Sequence, residues 1–312
     1  MVQKNSKIFI AGHKGLVGSA IIRKLRSKGY NNLITIDKKK LNLTDQKKVF
    51  NFIKKKKPKF IFLAAAKVGG IYSNNKYKAD FIYQNLTIQN NIIHGAFQNG
   101  VKDMIFLGSS CVYPKLSKQP IKENYLLGGY LEETNDAYAI AKIAGIKMCE
   151  SYNDQYNMNY RCLMPTNTFG PNDNYHKLNS HFAPAMIKKI HDIKVKNKKK
   201  LILWGNGKAK RELIYVEDIA DACVYFMNKR TKESLINIGT GKDYSIEYLA
   251  KYFLKILLPE KKIKIVFDKS KPNGVPRKVM DVKLAKKYGW LSKTSLKKAI
   301  INTYKSYINK LT

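Results

Sequence analysis

Short apolar runs alternate with longer amphipathic stretches through the first half of the chain. Strands are predicted at residues 7–11, 60–65, 104–107 and 161–164, each bounded by polar or glycine-rich segments. Strands that are buried on both faces show such unbroken runs, and helical stretches between them indicate crossover connections. The pattern therefore predicts an α/β fold built on a doubly wound parallel sheet.

The stretches between and after these strands show helical patterns. They are rich in helix-forming residues, and the helix that begins at residue 137 contains no proline. After residue 172 the pattern changes, although strands and helices still alternate. The predicted helices cover residues 19–28, 80–97, 137–152, 182–194 and 219–228, with others ending at 53 and lying near 282 and 295. Further strands are predicted at residues 32–36, 201–204, 236–239 and 263–267.

The two halves of the chain are not separated by a linker. The sequence contains no low-complexity segment and no internal repeat. We therefore expect two interleaved parts rather than two consecutive domains. A nucleotide-binding domain covers residues 1–170 with a returning segment near 211–242, and a smaller C-terminal substrate lobe combines 171–210 with 243–312.

The composition is that of an ordinary globular protein, with 44% hydrophobic and 26% charged residues among 312. No apolar run reaches the length of a membrane span, and the polar N-terminus leads directly into a strand, so we expect no signal peptide. The cysteines lack the spacing of a zinc or redox motif, so we expect reduced thiols, no metal and a cytoplasmic location. They are Cys111, Cys149, Cys162 and Cys223.

The formal net charge of +37 is the one unusual property of the composition. A charge of this size can indicate a polyanionic partner. However, the lysines are spread through the whole chain rather than confined to one segment. This distribution favours a solvated lysine surface, so we expect no specific nucleic-acid partner and no membrane binding, although weak nonspecific binding would follow from the charge.

A glycine pattern follows the first predicted strand. Gly12, Gly15 and Gly18 are spaced as G-x-x-G-x-x-G and lead into a helix. Glycines in this context permit a tight turn and let the backbone approach a pyrophosphate at the helix N-terminus. After the second strand Asp37 and Lys38 stand side by side. An acidic residue there suits a ribose hydroxyl and a basic one suits a 2′-phosphate, so the residues leave NAD and NADP both open.

Tyr138 and Lys142 are four residues apart in a predicted helix, so they lie on the same face. The positive charge of the lysine is expected to lower the pKa of the phenol toward a range useful for acid–base chemistry. Such a pair alone is also an ordinary surface contact. A loop rich in small residues, running from Gly108 to Pro114, follows the strand just upstream.

Taken together, the glycine pattern, the Tyr-x-x-x-Lys pair and the serine-containing loop resemble the extended short-chain dehydrogenases/reductases. The strings that begin at Ala64, Gly108, Pro165 and Asn179 further resemble the GDP-L-fucose synthase family, over nearly the whole chain. The resemblance implies a Rossmann-type homodimer that uses NADP(H). It also implies conversion of GDP-4-keto-6-deoxy-D-mannose to GDP-L-fucose, by epimerisation at C3 and C5 followed by reduction of the C4 ketone.

The resemblance also implies roles for individual residues. Cys111 would be the base and His181 the acid of the epimerisation, while Tyr138 and Ser109 would hold the C4 oxygen and Lys142 would bind the nicotinamide ribose. The substrate would contact Lys189, Trp204, Arg211 and Asn273. The cofactor would contact Gly12, His13, Lys14, Gly15, Leu16, Val17, Gly18, Lys38, Leu107, Gly108, Ser109, Ser110, Lys142, Pro165, Thr166, Asn167, Thr168 and His181.

Two features differ from the family pattern. Asn273 stands where the family commonly has an aspartate, and lysines stand near the adenosine phosphate where relatives use arginines. Lysine cannot bind a phosphate in the bidentate way that arginine does, which weakens the preference for NADPH.

The alternatives are another nucleotide-sugar enzyme of the same fold, or a relative that only binds nucleotides or nucleic acid. A 4-epimerase would not need the pair Cys111 and His181, and a 4,6-dehydratase should carry carboxylates near Ser110. A relative without catalytic activity need not retain Tyr138 and Lys142 together with that pair.

Overall fold

The computed structural model describes residues 2–176, 179–271 and 274–311. The strands of the described residues are β1 (Ile8–Ala11), β2 (Leu33–Ile34), β3 (Phe60–Leu63), β4 (Asp103–Leu107), β5 (Asn159–Pro165), β6 (Asn167–Phe169), β7 (Lys200–Trp204), β8 (Lys210–Tyr215), β9 (Leu235–Ile238), β10 (Asp243–Ser245), β11 (Lys264–Asp268) and β12 (Arg277–Lys278). Six of them form a central parallel sheet in the order β2-β1-β3-β4-β5-β9.

Helices cover both faces of the central sheet. The helices of the described residues are α1 (Leu16–Ser27), α2 (Gln46–Lys56), α3 (Ile71–Lys76), α4 (Lys78–Gln98), α5 (Asp136–Tyr156), α6 (Phe182–Val195), α7 (Val216–Asn228), α8 (Ile246–Leu257), α9 (Lys283–Lys287) and α10 (Leu296–Ile308). One face of the sheet packs on residues of α1 and α7, and the other on residues of α2, α4 and α5. The sheet is buried on both sides, which explains why its strands appear in the sequence as unbroken apolar runs.

The strand order reverses at β1, because β2 lies on one side of it and β3 on the other. The carboxyl ends of β1 and β3 therefore diverge into helices on opposite faces and leave a crevice between them, which is where open α/β sheets bind ligands. The prediction of a doubly wound parallel sheet is confirmed.

A second hydrophobic core lies outside the central sheet. Strand β8 pairs with β6, β10 and β12, and β7 pairs with β11. Buried residues of α6, α8 and α10, among them Ile187, Phe253 and Ile300, pack together in this core. No helix in the described ranges is long and apolar enough to cross a membrane.

Several predicted boundaries were wrong by one to four residues, and two of these differences have a clear physical reason. The first helix begins at Leu16 rather than at residue 19, because the last glycine of the pattern is part of its first turn. Strand β2 has two residues rather than five, since it lies at the sheet edge and pairs only with Ile8 and Phe9 of β1.

Candidate active site

The glycine turn between β1 and α1 is built by close backbone packing. Gly12 has a φ of +90°, and a Cβ there would lie 2.7 Å from the backbone nitrogen of Ala65. A Cβ on Gly18 would lie 2.2 Å from the carbonyl oxygen of Gly12. Gly15, in contrast, has only this same oxygen nearby, at 3.4 Å, and it stands at the N-cap of α1. The turn therefore leaves open space at the helix N-terminus, where a phosphate group fits.

Asp37, beyond the end of β2, is held by two residues of the glycine turn. Its carboxylate lies 2.8 Å from Lys14 Nζ and 3.2 Å from His13 Nε2. The hydrogen bond from Lys14, together with the charges of Lys14 and His13, holds the pKa of Asp37 below its usual value. Lys38 is exposed beside it. The candidate residues for recognising the adenosine ribose are thus together at one end of the crevice.

The segment after β5 lines the next part of the sheet edge. The backbone nitrogen of Thr166 donates to Ile238 O at 3.1 Å, and Thr168 Oγ1 donates to Thr166 O at 3.0 Å. The hydroxyl of Thr166 is buried and has no hydrogen-bond partner among the described residues. A buried hydroxyl without a partner costs free energy, so it fits a place where a ligand completes the site. Together with the glycine turn it fits a dinucleotide.

Tyr138 lies in the first turn of α5 and its hydroxyl is hydrogen-bonded to Ser109. Burial raises the pKa of Tyr138 well above its ordinary value; a charge on Cys111 acts in the same direction, and the hydrogen bond with Ser109 opposes them. The expected lowering of the Tyr138 pKa by Lys142 is therefore wrong. The Lys142 ammonium lies 6.0 Å from the centre of the tyrosine ring, and desolvation of the phenolate outweighs its attraction.

Lys142 is buried one turn further along α5. Its Nζ donates to Leu107 O at 2.8 Å, at the carboxyl end of β4, and lies 4.5 Å from the ring centre of Phe106. Burial lowers the pKa of Lys142 to about 8, since the charged form is desolvated. The lysine is therefore anchored at the end of the strand from which Gly108, Ser109 and Ser110 continue.

Cys111 is half-buried, whereas the other three cysteines of the chain are buried. Its Sγ lies 3.6 Å from Asn135 Nδ2 and 3.8 Å from Lys278 Nζ. Its backbone nitrogen donates to Ser109 Oγ at 3.3 Å. The thiol is thus surrounded by polar donors, and an ammonium group at this distance can offset negative charge on sulfur. The loop after β4 therefore places Cys111 beside Ser109 and Tyr138.

Asn135 and Lys278 were not predicted as site residues. Lys278 belongs to β12 and is paired in register with Arg211 of β8, one of the expected substrate contacts. It is 167 positions from Cys111 in the chain, so no local pattern connects the two. The only feature of the sequence that pointed to this region was the C-terminal segment rich in lysine and proline that contains Lys278.

His181 stands at the N-cap of α6. The residue is accessible to solvent at the start of the helix, although desolvation by the surrounding protein lowers the pKa of its imidazole from the ordinary value. The segment that leads to it is attached to the loop after β3, because Gly70 N donates to Asn179 O at 3.0 Å.

The expected substrate contacts lie on elements that surround the second core. Lys189 Nζ donates to Ile202 O of β7 at 2.8 Å, and Trp204, at the end of β7, is half-exposed. Arg211 donates from Nη1 to Val275 O at 2.6 Å, and burial lowers its pKa. Lys189 lies on α6, Trp204 on β7 and Arg211 on β8, and β8 pairs with β12, the strand of Lys278. Asn273 lies outside the described residues.

Comparison with known proteins places the chain in a family. Residues 8–239 match the model of the NAD dependent epimerase/dehydratase family. The chain belongs to this family. GDP-L-fucose synthase 1 of Arabidopsis thaliana is 47% identical, with 99% of this chain and 95% of the relative covered. GDP-L-fucose synthase of Escherichia coli (strain K12) is also 47% identical, with 97% and 96% covered.

A solved structure agrees with these epimerase/dehydratase relatives. The Campylobacter jejuni protein described as "MlghC, GDP-mannoheptose C4 reductase", with NADP bound, superposes with a TM-score of 0.90 at 38% identity, covering 99% of this chain and all of the other. The resemblance to extended short-chain dehydrogenases/reductases, and to the GDP-L-fucose synthases among them, is confirmed.

Proposed function

We propose that this protein is a GDP-L-fucose synthase, which converts GDP-4-keto-6-deoxy-D-mannose to GDP-L-fucose. Two full-length relatives with 47% identity are GDP-L-fucose synthases. The observation that carries the proposal is the position of Cys111, whose thiol lies among Asn135, Lys278 and the Ser109 loop, next to Tyr138. A reductase needs the tyrosine and the lysine, whereas epimerisation also needs a base of this kind.

The epimerisation follows from the chemistry of the substrate. A ketone at C4 acidifies the C–H bonds at C3 and C5, so a base can remove a proton from each of these carbons in turn. Each removal forms an enolate. Cys111 is the base in this proposal, and His181 returns a proton from the other face. Ser109 and Tyr138 donate hydrogen bonds to the C4 oxygen, where the enolate charge develops.

The reduction uses the same oxygen. NADPH supplies hydride when it is bound. Because burial raises the pKa of Tyr138, its hydroxyl stays protonated and can deliver a proton to the C4 oxygen. Lys142 holds the nicotinamide ribose, and the glycine turn holds the pyrophosphate. The cofactor is NADP(H), in agreement with the NADP-bound structural neighbour.

The same proposal assigns the second core to the GDP-sugar. Arg211 and Lys189 carry the charges that suit a diphosphate, and Trp204 offers a flat apolar face. Residues 1–170 with the returning segment near 211–242 would form the cofactor domain, and 171–210 with 243–312 the substrate lobe. We also propose a cytoplasmic homodimer that joins through α4 and α5, where Tyr83 and Ile140 are exposed.

A turnover assay tests the function. Purified protein is given GDP-4-keto-6-deoxy-D-mannose with NADPH or NADH, cofactor oxidation is followed at ~340 nm, and product stereochemistry is determined by NMR. We expect GDP-L-fucose from the wild type and about a hundredfold less from Cys111→Ala. Cys223→Ala, which changes a buried thiol of α7, should remain active.

The product identifies the alternative reactions. Reduction at C4 with unchanged C3 and C5 would indicate a simple C4 reductase, like the Campylobacter jejuni neighbour. The proposal is contradicted if the protein oxidises neither NADPH nor NADH.

A further inference from the structure

We propose that Asn179, held by Gly70 and Ser73, is the positioning residue that aims His181 into the active site. This inference rests on the proposed function, because it concerns the acid step of the epimerisation. It goes beyond that function by assigning a role to three residues that do not themselves contact the reacting atoms.

Asn179 is hydrogen-bonded through both its backbone and its side chain. Gly70 N donates to Asn179 O at 3.0 Å, and Ser73 Oγ donates to Asn179 Oδ1 at 2.6 Å. Gly70 is the N-cap of α3, and Ser73 lies in its first turn. The two bonds fix both the path and the orientation of a residue that precedes His181 by two positions.

The start of α3, which provides these donors, is held by further hydrogen bonds. Asn74 Nδ2 donates to Gly69 O at 2.7 Å and to Gly70 O at 3.0 Å. Ser73 and Asn74 are both buried. The contact with the 179–181 segment is also close, because a Cβ on Gly70 would lie 2.8 Å from Ser180 O. The contact requires glycine at position 70, and a side chain there would push the segment away.

The other end of the segment is fixed by α6. Helix α6 begins directly after His181, and its residues Ala183, Met186 and Ile187 are buried in the second core. His181 therefore lies between two anchors, one on the α3 loop and one in α6. Within the described residues, the His181 side chain makes no capping hydrogen bond to α6, so in this proposal the two anchors of the backbone set the position from which the imidazole extends.

The consequence is a specific sensitivity of the acid step. If the Asn179 anchor is lost, His181 can move while the glycine turn, Tyr138 and Cys111 keep their contacts. A displacement of about 1 Å at a catalytic group can cost up to a hundredfold in rate. Binding of the GDP group, which the proposal assigns to Lys189, Trp204 and Arg211, should be unaffected.

The first test measures epimerisation without reduction. The keto-sugar is incubated in D2O without NADPH, and formation of the epimerised ketone is followed by NMR. Ser73→Ala and Asn179→Ala should slow it about tenfold or more with KM unchanged. Asn179→Asp keeps the acceptor for Ser73 and should stay within about twofold of the wild type. The matched control Ser27→Ala removes a hydroxyl from α1, where it bonds Lys24 O, and should change nothing.

The second test needs no activity. The histidine C–H resonances are recorded against pH, and His181→Gln identifies the His181 signal. Ser73→Ala should shift this signal and its titration, whereas Ser27→Ala should leave both unchanged. An unchanged His181 signal, or an unchanged epimerisation rate in an active Ser73→Ala variant, would overturn the inference. An inactive wild type with a shifted His181 signal would instead count against the proposed function and support the anchoring.

Discussion

At the scale of single residues, burial decides the protonation of the proposed catalytic groups. Tyr138 and Lys142 are four residues apart, and spacing alone suggested that the lysine would make the phenol more acidic. In the structure burial raises the pKa of Tyr138 and lowers that of Lys142. Both groups are therefore shifted toward their neutral forms, which suits a tyrosine that gives a proton rather than one that removes it.

Replacing Lys142 should make the folded protein more stable at neutral pH. The folded-state pKa of Lys142 is about 8, against 10.5 for an unperturbed lysine, so below pH 8 the protein pays for a buried positive charge. Lys142→Met removes this cost and should raise the free energy of unfolding by up to about 3 kcal/mol at pH 7, while abolishing reduction. Denaturant titrations measure the difference.

The pH dependence checks the cause of the Lys142 effect. Between pH 8 and 10.5 the folded wild type loses its proton before the unfolded chain does, so its stability rises with pH relative to Lys142→Met. The advantage of the variant should shrink through this window. A constant advantage from pH 7 to 10.5 would show that packing, rather than charge, is responsible.

At the scale of secondary-structure elements, the sequence predicted what is local and missed what is distant. Apolar runs and the glycine spacing predicted the parallel sheet and the turn before α1, because both depend on neighbouring residues. The position of β12 beside the Cys111 loop depends on how the elements of the second core pack against the edge of the central sheet. Lys278 therefore could not be predicted, and neither could the buried Glu212 that holds its strand.

The side chain of Glu212 links three separate segments of the chain through hydrogen bonds. Its carboxylate accepts from Gly241 N at 2.7 Å, from Thr240 N, and from Met280 N at 2.8 Å, two residues beyond Lys278. Burial raises the pKa of Glu212 although these amides favour the charged form. There is also no room beside it, since a Cβ on Gly239 would lie 2.4 Å from Glu212 Oε1.

Glu212→Gln should lower both stability and epimerisation. The glutamine amide places an NH2 group against backbone N–H donors, so at least one donor loses its acceptor at a cost of about 2 kcal/mol. Lys278 then loses its fixed position beside Cys111, and formation of epimerised product should fall more than GDP binding does. Glu217→Gln is the matched control, because Glu217 forms a partly exposed ion pair with Arg23. Equal effects in the two variants would contradict this role of Glu212.

At the scale of the whole molecule, the net positive charge opposes the association of two copies, whereas exposed apolar surface favours it. Each chain carries a formal charge of +37, so two copies repel one another unless apolar contact compensates. Helices α4 and α5 pack side by side, with Gln89 Nε2 donating to Ala141 O at 2.6 Å. Their exposed residues include Tyr83, which is 68% accessible to solvent, and Ile140, which is 46% accessible. An apolar surface of this kind can hold a dimer against the repulsion once salt screens the charges.

The proposed homodimer should therefore tighten with ionic strength, unlike a complex held by ion pairs. Raising the salt from 0.01 to 0.15 M shortens the screening length from about 30 to about 8 Å, so the dissociation constant should fall. Tyr83→Lys adds a charge to the proposed interface and should produce monomers, as measured by sedimentation. Tyr130→Lys adds the same charge to a loop residue that is 95% exposed and should leave the dimer intact. A monomeric wild type at all salt concentrations would exclude the homodimer, and equal dissociation of both variants would place its interface elsewhere than on α4 and α5.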